Sequence, residues 1–95
     1  MTVSNDNNEI KVVVMTGCGH CDHFKEVNKD SIANGRIKVY DVAQSEEARR
    51  LADKFGINAV PSPIVKDKLT GFEQVCQITG NGKKLSCPDG KEVEI

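Results

Sequence analysis

Two cysteines with two residues between them, Cys18-Gly19-His20-Cys21, constrain this 95-residue chain more than any other feature. The apolar run at residues 10–14 precedes them and a stretch patterned as a helix, residues 22–34, follows. A cysteine pair at such a strand-to-helix junction points to thiol chemistry. The first turn of a helix presents unpaired N–H groups and the positive end of the macrodipole, and both favour a thiolate over a thiol. Cys18 is thereby expected at the helix start with its sulfur outward. Cys21 is expected one turn on, near enough to close a small disulfide ring and more deeply buried.

The remaining composition narrows the field. A single domain of this length buries a modest core, and residues 10–80 are expected to form it, after a flexible N-terminus over residues 1–9 and before an atypical tail over residues 81–95. The formal net charge is −1, with no basic block and no tryptophan, which argues against nucleic acid or an anionic membrane as partner. No run approaches the length of a membrane span. Residues 1–9 are polar and lack the apolar stretch and small-residue cleavage pattern of an export leader, so a cytoplasmic monomer is expected.

Along the chain, the near-continuous apolar run Val12-Val13-Val14 reads as a strand buried on both faces. Cys21, Phe24 and Val27 recur every three residues on the following helix, and Asn34-Gly35 stops it. Residues 37–42 alternate as a second strand. Ser45 then caps a helix whose Ala48, Leu51, Ala52 and Phe55 form one apolar stripe, ended by Gly56. The segment Ala59-Val60-Pro61-Ser62-Pro63 is incompatible with helix or central strand. Residues 64–66 and 72–79 read as two further strands, close enough in sequence to pair antiparallel. In the tail, Leu85, Cys87, Val93 and Ile95 alternate with polar residues about Pro88-Asp89-Gly90, a hairpin pattern. The order is β-α-β-α-β-β plus tail: an α/β fold with a mixed sheet, its first two strands parallel.

These features together resemble the thioredoxin superfamily over residues 10–80. The points of likeness are strand, Cys-Gly-His-Cys, helix, strand, helix, and then Phe55-Gly56-Ile57-Asn58-Ala59-Val60-Pro61-Ser62. The resemblance implies a thioredoxin-like fold and a thiol–disulfide oxidoreductase acting on disulfides of proteins or small molecules. It implies Cys18 as nucleophile, Cys21 as resolving cysteine, and His20 as a charge that stabilises the Cys18 thiolate. It further implies a cis bond before Pro61, with Gly19, Val60 and Pro61 forming the substrate contact. No cofactor and no metal is implied; an external thiol reductase or thiol pool supplies electrons. The family's tryptophan before the pair is Gly17 here, and its buried aspartate beneath the second cysteine is Val12. Lys83-Lys84 follow the Gly80-Asn81-Gly82 turn where glutaredoxins carry acidic residues, which argues against glutathione. The tail does not read as the family's closing helix.

Two readings compete. One is a non-enzymatic zinc module using Cys18, Cys21 and two of His23, Cys76 and Cys87. The other is a binding adaptor of the same fold with idle cysteines. Cys76 reads foremost as a buried thiol in a strand, with a Cys76–Cys87 disulfide or second redox pair left open.

Overall fold

The chain was analysed as a computed structural model, which describes residues 2–3 and 8–95. In order the elements are β1 (Thr2–Val3), β2 (Asn8–Val14), α1 (Gly19–Val27), α2 (Lys29–Ala33), β3 (Ile37–Asp41), α3 (Glu46–Phe55), β4 (Ser62–Asp67), β5 (Glu73–Val75), β6 (Gln77–Thr79), a tight turn at Gly80–Gly82, β7 (Lys84–Ser86) and β8 (Glu92–Glu94).

The apolar run becomes the centre of the main sheet, whose order is β3-β2-β4-β5. Strand β2 pairs parallel with β3 and antiparallel with β4, and β5 extends β4 antiparallel. Ile10, Val12, Val13 and Val14 have no exposed surface, as a strand covered on both faces requires. The mixed α/β thioredoxin-like architecture expected from the pattern is the one observed. Helix α3 also forms where its stripe and caps place it. Ser45 Oγ accepts the Ala48 N–H at 3.2 Å, and Gly56 closes the helix in the left-handed region at φ 64°.

Four details differ from the sequence reading. The stretch at residues 22–34 is two helices, starting earlier, at Gly19. Asn28 breaks them because its fully buried amide is committed elsewhere: Nδ2 donates to the carbonyls of Phe24 at 3.1 Å and Gly82 at 2.6 Å. Gly82 is buried against this corner at φ 89°, and a Cβ there would stand 2.9 Å from Val27 Cγ2. Next, Ser62 and Pro63 belong to β4, an interior strand. Pro63 is tolerated because its carbonyl accepts from Cys76 N at the point where the chain leaves the sheet, so its missing N–H faces a ladder that has ended.

The stretch at residues 72–79 is likewise two short strands in different sheets, divided at Cys76. Finally, the N-terminal and tail segments are joined. The tail hairpin forms, and β1 pairs parallel with β8 to give a second sheet of order β1-β8-β7-β6. Thr2 and Val3 are thus in a strand, and Asn8 and Glu9 in β2, where a flexible segment was expected; residues 1 and 4–7 lie outside the described residues. Leu85, Cys87 and Val93 of the tail share one buried cluster with Ile10, Val12 and Phe24, so the core extends beyond residue 80.

Cys76 and Cys87 form a disulfide across 11 residues, closing the base of the β6–β7 hairpin. The reading of Cys76 as a free thiol is therefore corrected: leaving one sheet at residue 76 and returning at residue 87 brings the two sulfurs together. Closing a loop of this size removes about 3 kcal/mol of unfolded-state entropy. Among the described residues no helix is long and apolar enough to cross a membrane.

The Asn28 corner yields a stability prediction. Asn28→Ala leaves two buried carbonyls without their donor and should destabilise the fold by about 1–3 kcal/mol. Urea denaturation should show a lower midpoint with unchanged m; an unaltered midpoint would remove Asn28 from the fold's support.

Candidate active site

The chain leaves β2 at Val14, turns through residues 15–17 and enters α1 at Cys18. Cys18 is the N-cap, with extended backbone at φ −89° and ψ 114°, and its carbonyl accepts the first helical bond from Asp22 N at 3.0 Å. Its Sγ takes the place of the usual capping oxygen, accepting the Cys21 N–H at 3.1 Å. Cys18 is half-buried, so its sulfur is both held by the helix end and open to solvent. Cys21 is wholly buried beside Phe24. Both are free thiols, whereas the other two cysteines are bonded to each other.

The two sulfurs stand in unequal environments. Burial, first, and the hydrogen bond to Cys18, second, push the Cys21 thiol up to about 11. The negative field of Cys18 adds to the rise. A backbone hydrogen bond from Met15 and the charge of Lys25 oppose it.

The proline segment meets this helix end from the other side. The Val60–Pro61 bond is cis, as the resemblance implied. Ser62 Oγ donates to the Ala59 carbonyl across the bend. The Val60 carbonyl lies 3.9 Å from Cys18 Sγ, which donates to it as a thiol. Two grooves flank the segment and share Ala59. One, of about 720 Å³, runs between α1 and β6 and is lined by His20, His23, Phe24, Pro61 and Asn81, among others. The other, of about 370 Å³, lies toward α3 and is lined by Met15, Ile57 and Val60 with Arg49 and Asp53. Cys18, Cys21, Val60 and Pro61 are thus brought together; Gly19 and His20 sit exposed in the first turn of α1.

Among the described residues no three His, Cys, Asp or Glu side chains gather to hold a metal. Cys76 and Cys87, two of the four ligands considered from the sequence, already spend their sulfurs on each other.

Sequence reasoning missed three residues that hold the loop before Cys18. Asp41, at the end of β3, accepts from Thr16 N at 3.2 Å and from Thr16 Oγ1 at 2.6 Å. It also accepts from Ala43 N at 2.8 Å, and Gln44 Nε2 donates to Thr16 Oγ1 at 3.0 Å. The Thr16 hydroxyl, first among the causes, holds the Asp41 carboxyl below the usual range. Nothing in the local sequence marks Asp41, because the contact spans 25 residues and arises only from parallel β2–β3 pairing.

Asp41 is exposed to screening, so its effect is expected on positioning rather than on global stability. Asp41→Ala should slow alkylation-independent disulfide turnover severalfold while moving the urea midpoint little. Since the native carboxyl is depressed, the restraint is present above the unfolded carboxylate pKa and is lost as pH falls through the folded value. Equal turnover by Asp41→Ala and wild type would exclude this role.

Comparison with curated proteins finds no match, and neither does comparison with solved structures. The family model described as thioredoxin domain matches residues 8–73, more than half of the chain, from the start of β2 to the start of β5. That span contains the cysteine pair, the cis-proline segment and the whole main sheet up to its edge strand, and on it the chain belongs to the thioredoxin-domain family.

Proposed function

We propose that this chain is a thiol–disulfide oxidoreductase that reduces disulfides of proteins or small molecules through Cys18 and Cys21. The observation that carries the reading is the inequality of the two sulfurs. One is an N-cap open to solvent beside a backbone carbonyl, and the other is buried with its thiol pushed up to about 11.

In this reading the Cys18 thiolate attacks a substrate disulfide. A Cys18–substrate disulfide forms, the substrate S–S bond breaks, and one substrate thiolate leaves. Cys21 then loses its proton and attacks the Cys18 sulfur. The Cys18–Cys21 disulfide forms and the second substrate thiolate leaves, two electrons having passed to substrate. The order follows from the causes acting on Cys21. Two of the influences that raise it come from Cys18, and bonding Cys18 to substrate removes the anion responsible. The resolving thiol is thereby freed to ionise only after the first step. Protonated His20 adds positive charge at the same helix end, and Gly19, Val60 and Pro61 form the contact for the substrate backbone. An external reductase or thiol pool returns the dithiol, and no bound cofactor takes part. We place the protein in the cytoplasm as a monomer; burial of Cys76 and Cys87, at 4% and 6% exposure, shields their disulfide from a cellular thiol pool.

An insulin-reduction assay with dithiothreitol tests the reading. Wild type should accelerate precipitation, and Cys18→Ser should lose about a hundredfold or more of the rate. Cys21→Ser should accumulate a mixed disulfide visible by mass spectrometry. No acceleration by folded wild type would exclude the oxidoreductase and favour the adaptor, and a stoichiometric zinc content in the same preparation would favour the metal module.

Selective labelling tests the assignment of roles. A thiol at about 11 is roughly one part in ten thousand thiolate at pH 7. Iodoacetamide at neutral pH should therefore label Cys18 and spare Cys21. Preferential labelling of Cys21 would reverse the two roles.

A further inference from the structure

The larger groove has a wall that the family match does not include. The match ends at residue 73, while residues 75–79, Asn81 and Gly82 line the groove opposite α1. Five consecutive residues, 75–79, face it. Successive side chains of a strand point to opposite faces, so one face would contribute only alternate residues. An unbroken run is met only from the edge. The topology agrees: β6 is the terminal strand of the second sheet, paired with β7 alone. Its outer backbone groups find no strand partner among the described residues. The Cys76–Cys87 disulfide fixes the base of this hairpin, and Asn28 fixes its turn through Gly82.

The opposite wall is one face of α1, with His20, His23 and Phe24 at i, i+3 and i+4. One end of the groove is the Ala59–Ser62 bend beside Cys18, and the other is the Gly80–Gly82 turn. A strand of five residues spans about 16 Å. No Asp, Glu, Lys or Arg lines the groove. Oxidised glutathione, with several carboxylates, would find no cationic side chain of lysine or arginine there. An uncharged extended polypeptide would find a row of unpaired amides and carbonyls.

Resting on the oxidoreductase reading, we infer that the groove between α1 and the free edge of β6 binds the polypeptide flanking a target disulfide. The flanking segment is uncharged and extended, and adds to β6 as a further strand. The tail thus determines specificity: it selects disulfides of polypeptides over small charged disulfides, and Thr79 on β6 borders the bound segment. The chemistry is the exchange already described, with the peptide sulfur bonded to Cys18 and its former partner leaving as thiolate.

The test is single-turnover reduction of an uncharged peptide whose central cysteine is held as a mixed disulfide with 2-nitro-5-thiobenzoate. Excess reduced wild type is used, and release of the coloured thiolate is followed. Amides on either side of the cysteine are N-methylated one at a time. On one side, methylation at alternate positions between the second and sixth residues should slow the reaction by about fivefold each, with intervening positions unaffected. Thr79→Glu, at an exposed position, should shift the preference between Lys- and Asp-bearing flanks toward Lys by about fivefold or more. Insulin and oxidised glutathione are assayed alongside, and the first should be the better substrate. Normal insulin reduction with no alternation along the peptide and no charge response in Thr79→Glu overturns the groove assignment while the oxidoreductase reading stands. Failure to reduce insulin as well overturns both.

Discussion

The geometry of the site depends on the antiparallel register of β2 on β4. Val13 stands opposite Ser62, so the residues that follow β2 and those that precede β4 emerge at the same end of the sheet. On one side that end carries the turn into Cys18; on the other it carries Val60 and Pro61. The 3.9 Å approach of Cys18 Sγ to the Val60 carbonyl, across 42 residues of sequence, follows from this register. A slip by one residue would turn every β4 side chain to the opposite face. Ile64 and Val65 would exchange surroundings, and the burial of both, at 1% exposure each, specifies the register strongly.

From that frame the two sulfurs acquire different properties from one helix turn. Cys18 sits where the backbone N–H groups are unsatisfied, and its sulfur accepts one of them. Cys21, three residues on, points to the side of α1 that packs against the sheet. Helix periodicity alone thus separates an open sulfur from a closed one. In this family member no carboxylate replaces the missing buried aspartate, since Val12 has no exposed surface and belongs to the apolar cluster. The account of Cys21 given above instead ties its ionisation to the state of Cys18.

The second sheet addresses a problem of size. A chain of 95 residues has little apolar surface to spare, and α3 buries only Ala48 completely. The small sheet supplies Leu85, Cys87 and Val93 to the core, and the disulfide stiffens its hairpin. The same hairpin borders the larger groove, so packing and recognition share one structural element. The Asn28 amide joins them again, tying the corner between α1 and α2 to the turn at Gly82. One of its atoms, Oδ1, is buried without a partner among the described residues, a cost accepted for two bonds at that corner.

The sequence by itself determined the elements whose causes are local. The apolar run of β2, the Ser45 and Gly56 caps of α3, and the Cys18–Cys21 spacing at a strand–helix junction each carry their reason within a few residues. The Val60-Pro61-Ser62 segment was readable through its resemblance to a family rather than through any local rule. Tertiary structure decided what depends on distant partners. Asn28 breaks a helical pattern because a carbonyl 54 residues away accepts its amide. Asp41 restrains the loop before Cys18 because β2 and β3 run parallel. Pro63 is admitted to an interior strand because the ladder ends at Cys76. Cys76 meets Cys87 because the chain changes sheets between β5 and β6, a path that residue pattern does not encode since both strands alternate alike.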